Sequence, residues 1–172
     1  MSYERIDDSP QFDGKTRESH ELRYRIAAGF AMPDKFVLDA GCGTGYAKEI
    51  FNESLYLGID KNPPNDPSRF AKVDFEDPNQ SYDWLPQYDI FVGLEVIEHL
   101  NDDGVGRFLQ LARAARKWII ISTPIVPNSN PFHKQHFTPE TIPAFMAQDS
   151  NWKIQSEIVQ DGRYGIYIFK RT

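Results

Sequence analysis

Glu95, Glu98 and His99 stand in the segment Gly93-Leu94-Glu95-Val96-Ile97-Glu98-His99-Leu100, at i, i+3 and i+4. If this segment enters a helix, that spacing puts two carboxylates and an imidazole on one face. Three such groups can bind a hard divalent ion, supply a base, or form a surface ion-pair ladder. Two more histidines follow in Asn130-Pro131-Phe132-His133-Lys134-Gln135-His136-Phe137. The 14 residues from Pro124 to Phe137 are long for a connection, and long connections are usually functional. Each of these histidines serves equally well as a hydrogen-bonding anchor of its own loop.

A second constellation lies upstream, in Val37-Leu38-Asp39-Ala40-Gly41-Cys42-Gly43-Thr44-Gly45-Tyr46. Glycines at 41, 43 and 45 allow a tight turn and let a ligand approach the main chain. A nucleotide P-loop needs Gly-Lys-Ser/Thr, and this loop has Gly45-Tyr46. The dinucleotide fingerprint needs glycine where Tyr46 stands, so it fails as well. A GxGxG turn remains, weak on its own. Asp60, nineteen positions after Gly41, ends Leu57-Gly58-Ile59-Asp60 and can accept both hydroxyls of a ribose. Asp74-Phe75 offers an acceptor and an aromatic wall for a purine. The bland alternative makes Asp60 and Asp74 ordinary residues of strand-end turns.

These groups need elements to position them. Leu22, Ile26, Ala27 and Phe30 recur at helical spacing within Thr16–Ala31. Strands are predicted over Phe36–Asp39, Tyr56–Asp60, Phe70–Val73, Asp89–Leu94 and the β-branched Trp118–Ser122. Helices are predicted over Tyr46–Asn52 and Val105–Ala115. Another is expected from Thr138-Pro139 to about Gln148, with Pro143 disturbing it one turn in. Residues 152–160 and 164–170 alternate around Asp161-Gly162 as a closing hairpin. Strands alternating with helices imply one doubly wound α/β domain, a mostly parallel sheet with helices on both faces. The hairpin makes one final strand antiparallel.

Composition bounds the rest. The chain has 172 residues, a 40% hydrophobic fraction and a formal charge of −6, which fits one soluble globular domain. Residues 1–33 are expected to form a polar arm and helix, readable as a lid, and residues 34–172 the ligand-binding domain. No apolar run approaches the roughly 20 residues of a membrane span. The start MSYERIDDSP has no apolar stretch, so no secretory signal is expected. Lone Cys42 rules out an internal disulfide or a cysteine-built zinc site and suits a reducing, cytoplasmic setting. The acidic balance argues against a nucleic-acid partner, short of a local basic patch. Oligomeric state has no signature in the sequence.

From Asp39-Ala-Gly-Cys-Gly-Thr-Gly through Gly58-Ile59-Asp60 to Asp74, in this order, the chain resembles the class I S-adenosylmethionine-dependent methyltransferases, over roughly residues 34–170. One departure is Ala114-Ala115-Arg116-Lys117, where many members carry Pro-Gly-Gly before the fifth strand. The resemblance implies a Rossmann-like fold with S-adenosylmethionine as cofactor. It implies cofactor contacts from Asp39, Gly41, Cys42, Gly43, Gly45, Asp60, Lys61, Asp74, Phe75 and Leu94. Glu-Val-Ile-Glu-His is similar to the ubiquinone-biosynthesis-type O-methyltransferases. It also resembles the small-RNA terminal 2′-O-methyltransferases, where two Glu and two His hold magnesium against vicinal ribose hydroxyls. The expected activity is methylation of a hydroxyl on a small molecule or sugar, with Glu95, His99 and His136 in catalytic roles. Glu95, Glu98, His99 and His136 are the candidate ligands of Mg²⁺ or a similar ion; His136 immediately precedes Phe137-Thr138, and His133 stays open as the alternative. The rivals are a metal-dependent RNA 2′-O-methyltransferase and a non-catalytic cofactor-binding subunit.

Overall fold

Each strand read from the sequence forms, shifted by no more than two residues at an end. The computed structural model describes residues 14–51, 54–127 and 129–172. The strands are β1 (Phe36–Ala40), β2 (Leu55–Asp60), β3 (Phe70–Lys72), β4 (Ile90–Leu94), β5 (Trp118–Pro124), β6 (Trp152–Gln160) and β7 (Tyr164–Arg171). They join in one sheet in the order β3-β2-β1-β4-β5-β7-β6. The first five pair in parallel, and β7 runs antiparallel between β5 and β6. Strand order reverses between β1 and β4, so the loops leaving their carboxyl ends diverge and open a crevice there.

Three α-helices, α1 (Gly14–Ala28), α2 (Asp102–Arg113) and α3 (Thr141–Met146), cover the sheet. Alternation along the strands divides the core in two. Leu38, Ile59, Phe91, Ile119, Ile121 and Phe169 pack with Phe108 and Leu109 of α2 and Ile142 of α3. Val37, Tyr56, Ile90, Val92, Ile120 and Ile168 face the other way, onto Tyr24 and Ala27 of α1 and onto Phe51. Among the described residues no helix is long and apolar enough to cross a membrane.

The helices depart from the sequence reading in instructive ways. α2 begins at Asp102 because Asn101 caps it, accepting the Gly104 amide at 2.8 Å, with Asp102 and Asp103 suiting the positive end of the helix. α3 opens at Thr141 rather than after Thr138, which brings Pro143 into the first turn, where a missing N–H costs nothing. The helix predicted over Tyr46–Asn52 shrinks to a 3₁₀ turn at Tyr46–Glu49; Asn52 itself lies outside the described residues. The arm read over residues 1–16 falls mostly outside them too. α1 buries His20, Arg23, Tyr24 and Ala27, while Leu22, read as part of its apolar face, is exposed. The buried stripe has helical spacing but polar chemistry.

One close fit fixes α2 on the sheet. A Cβ on Gly93 would stand 2.4 Å from Phe108 Cζ. Gly93→Ala is therefore expected to destabilise the fold by about 1–3 kcal/mol, the cost of overpacking a filled core. Urea melts check this, and a second change, Phe108→Leu, should recover part of the loss.

Candidate active site

Both constellations meet in one cavity of about 1020 Å³ at the carboxyl edge of the sheet. The glycine loop leaves β1 with Gly41, Gly43 and Gly45 at φ of 77°, 57° and 76°, all left-handed. The Gly41 and Cys42 amides donate to the Ile59 carbonyl at 2.7 and 3.1 Å, tying the loop to β2. Asp60, at the end of β2, accepts the Gly43 amide at 3.0 Å and the Asn62 amide at 2.8 Å. Its carboxylate is thereby held at the cavity wall. Cys42, Lys61, Asp74, Phe75 and Leu94 line the same cavity.

Two of the sequence-predicted cofactor residues sit elsewhere. Asp39 is fully buried and accepts the hydroxyls of Tyr56 at 2.6 Å and Tyr24 at 3.3 Å, away from the cavity lining. Burial and the Asp39 charge keep the Tyr56 phenol protonated, its pKa well above the usual value, so it remains a donor. Gly45 is also absent from the lining, and a Cβ there would meet Phe70 at 2.4 Å. Both shape the loop from behind.

β4 runs into Glu95 and a 3₁₀ turn at Ile97–His99, and Glu95, Glu98 and His99 line the same cavity. This turn replaces the helix that the i, i+3, i+4 spacing suggested. Glu95 adopts φ 57°, a conformation that favours glycine and is held here by its surroundings. Consecutive residues at the end of β5 reach the two acids: Ser122 donates to Glu95 Oε1 at 2.7 Å and Thr123 to Glu98 Oε2 at 3.3 Å. Burial raises both carboxyl pKa values, Glu98 well above the carboxylate range because the Glu95 charge adds to the effect.

The connection after β5 is pinned by the Lys134 and Gln135 amides, which both donate to the Glu98 carbonyl, at 2.8 and 3.0 Å. That anchorage brings His133 against His99, ring centres 4.8 Å apart and nearly perpendicular. Potential ligand atoms of Glu98, His99 and His133 all lie within 4.8 Å of one another. His136, preferred from the sequence, is exposed and outside this group, and Glu95 lies outside it as well. Burial, with the nearby His99 and His136, lowers the His133 pKa to about 4, so its imidazole is neutral and able to ligate at pH 7.

No protein-family model and no curated protein matches the sequence. Solved structures do match in fold. A small RNA methyltransferase, HEN1, superposes with a TM-score of 0.70 at 19% identity, over 99% of this chain and 27% of that one. The chain thus spans about a quarter of that protein's length. The 1,6-didemethyltoxoflavin-N1-methyltransferase of Burkholderia thailandensis, with bound S-adenosylhomocysteine, gives 0.63 at 18% identity, over 98% and 87%. Magnesium protoporphyrin IX methyltransferase of Synechocystis PCC 6803, also with that ligand, gives 0.60 at 16%, over 91% and 83%.

The fold is that of the class I S-adenosylmethionine-dependent methyltransferases. Within this methyltransferase fold, the residues that sequence reasoning missed belong to α1 and β5. In the sequence Ser122 ends an apolar strand and Thr123 reads as the start of the loop after it, whereas β5 carries both. From α1, His20 and Arg23 line the cavity, and His20 Nδ1 meets the Tyr46 hydroxyl at 2.5 Å. A metal would find a suitable donor set here: Glu98 Oε1 is buried with no hydrogen-bond partner, beside two imidazoles.

Burial, reinforced by the Arg23 charge, pushes the His20 pKa from the usual 6.5 to about 3. The unfolded chain takes up this proton below 6.5 and the folded chain does not until about 3. Stability is thus fully present above 6.5 and lost as pH falls through that window. The expected slope from His20 is about 1.4 kcal/mol per pH unit. Urea melts between these limits should show a shallower acid dependence for His20→Asn than for the unmutated protein.

Proposed function

We propose that this protein is an S-adenosylmethionine-dependent methyltransferase that methylates a hydroxyl of a small molecule or sugar. The observation that supports the reading is one cavity lined by Asp60 and the glycine loop together with two carboxylates, half-buried Glu95 and fully buried Glu98. S-adenosylmethionine, when bound, supplies an activated methyl group on a sulfonium. The chain's own task is then alignment and proton removal. Asp60 accepts the ribose hydroxyls, Asp74 and Phe75 receive the adenine, and Gly41 and Leu94 leave the main chain open to the methionine part. Glu95 faces the acceptor and takes its proton. Glu98, His99 and His133 would hold a divalent ion that lowers the pKa of the acceptor hydroxyl; His133 replaces His136 in this set.

Asp60→Ala should weaken S-adenosylhomocysteine binding by about 1.5–3 kcal/mol, the scale of charge-assisted hydrogen bonds. Calorimetry measures it; unchanged affinity would remove Asp60 from the ribose role. Because Asp60 also supports the loop amides of Gly43 and Asn62, Asp60→Asn serves as the milder control.

Glu98→Ala should abolish methyl transfer while leaving S-adenosylhomocysteine affinity nearly intact. Chelator should suppress turnover and added Mg²⁺ or Mn²⁺ restore it. Full activity in chelator with loss at one histidine would instead assign base catalysis without metal. Cofactor binding with no transfer to any acceptor would make the chain a non-catalytic subunit.

A second reading, transfer to the terminal ribose of an RNA, is favoured by the likeness to HEN1 together with the Glu98, His99 and His133 group. Against it stands the −6 charge. Labelled methyl transfer to a short RNA and to small polyols, compared at low and high salt, separates the two: an RNA acceptor should show steep salt dependence.

A further inference from the structure

Arg23 is a buried cation to which the cofactor assignments give no role. It stands on α1, 3% exposed, on the cavity wall. Burying a guanidinium costs several kcal/mol unless it is paired and hydrogen-bonded. Part of the compensation is neutral. Nη1 donates to Gln160 Oε1 at 2.9 Å and to Ser19 Oγ at 3.3 Å, and the guanidinium lies 4.5 Å over the Tyr164 ring. Gln160 is itself immobilised, since its Nε2 donates to Ser19 O at 3.1 Å and Ser19 Oγ at 3.0 Å. The amide oxygen is thereby committed to Arg23.

The charge is met by the residue that follows β4. Among the described residues the carboxylate within ion-pair reach is Glu95, with Nε 3.9 Å from Oε1. That separation is too long for a hydrogen bond, and Nε makes none. The attraction is electrostatic, between side chains 4% and 13% exposed, where solvent screens it less than on the open surface. Glu95 needs such outside control. Its φ of 57° points the side chain where a regular strand would not, and a flexible glutamate loses considerable rotamer entropy on being held there. Ser122 and Arg23 both act on the same oxygen, Oε1. Oε2 is left for a ligand in the cavity.

We propose that Arg23 is a positioning residue: anchored by Gln160 and Tyr164, its guanidinium turns Oε1 of Glu95 back toward Ser122 and so presents Oε2 to the acceptor. This rests on the assignment of the acceptor to the Glu95 end of the cavity. It also makes α1 a working wall of the site, since the residue that orients the acid comes from the helix and its anchors from the closing hairpin.

The test is a set of crystal structures of the full chain soaked with S-adenosylhomocysteine, unmutated and as Arg23→Met and Arg23→Lys, with calorimetry on each. In Arg23→Met, α1 should keep its Tyr24–Asp39 and His20–Tyr46 contacts, while Glu95 loses the Ser122 bond and changes rotamer. Arg23→Lys should restore the bond, and S-adenosylhomocysteine affinity should be the same in all three. Glu95 unmoved in Arg23→Met would overturn the proposal, as would displacement of α1 and Glu95 together in both variants, which marks a residue that merely docks the helix. Should Arg23→Met fail to fold, Gln160→Ala unseats the guanidinium and reads the same bond by the same criterion. If the unmutated protein binds no S-adenosylhomocysteine, the proposed function fails, whereas the Glu95 rotamers in the ligand-free crystals still decide the role of Arg23.

Discussion

Two carboxylates follow β4 within four residues, Glu95 half-buried on the cavity wall and Glu98 fully buried behind it in sequence, and that pairing shapes the crevice. Each would be ionised in water at neutral pH, and each resists ionisation once buried beside the other. The surrounding structure divides the burden. Glu95 is given a hydroxyl from Ser122 and a cation from Arg23. Glu98 is given the longer bond from Thr123, and its Oε1 has no hydrogen-bond partner. A fold optimised for stability alone would place apolar side chains here. The arrangement makes sense as stored potential for a ligand, with the two acids prepared for different tasks.

The cofactor loop and the acids are mechanically one unit. A Cβ on Gly41 would stand 2.3 Å from the Val96 side chain, the residue that follows Glu95. The first glycine thus does two things: it reaches a left-handed φ that L side chains rarely adopt, and it lets the loop from β1 lie directly against the turn from β4. Strand order explains why these loops are neighbours, since β1 and β4 are adjacent at the point where the order reverses. On the far side, the amides of Lys134 and Gln135 fasten the acceptor-side connection to the Glu98 carbonyl. Lys134 Nζ also grips both oxygens of Glu76, at 2.7 and 2.8 Å, one residue beyond Phe75. The glycine loop and the connection after β5 are therefore both fastened to the acid turn.

Legibility from sequence followed the kind of force involved. Strands were readable because hydrophobic burial imposes runs and alternation, and the α/β order of the sheet followed from them. Asp60 was readable because its distance from Gly41 reflects the length of one strand–loop–strand crossing. The polar stripe of α1 was not: His20 and Arg23 are buried by hydrogen bonds and charge, which leave no hydrophobic signature. The choice between His133 and His136 turned on two backbone amides, and main-chain bonds of a loop have no residue code.

The central claim is that one crevice holds a sulfonium cofactor with its reactive centre turned toward Glu95 and Glu98. A crystal structure with S-adenosylhomocysteine and Mn²⁺, collected for anomalous signal, tests it most directly. The account expects the ribose hydroxyls on Asp60, the sulfur at the Glu95 end of the cavity, and the manganese peak among Glu98, His99 and His133. Ligand density with the ribose on another carboxylate, or with the sulfur turned away from Glu95, would contradict it.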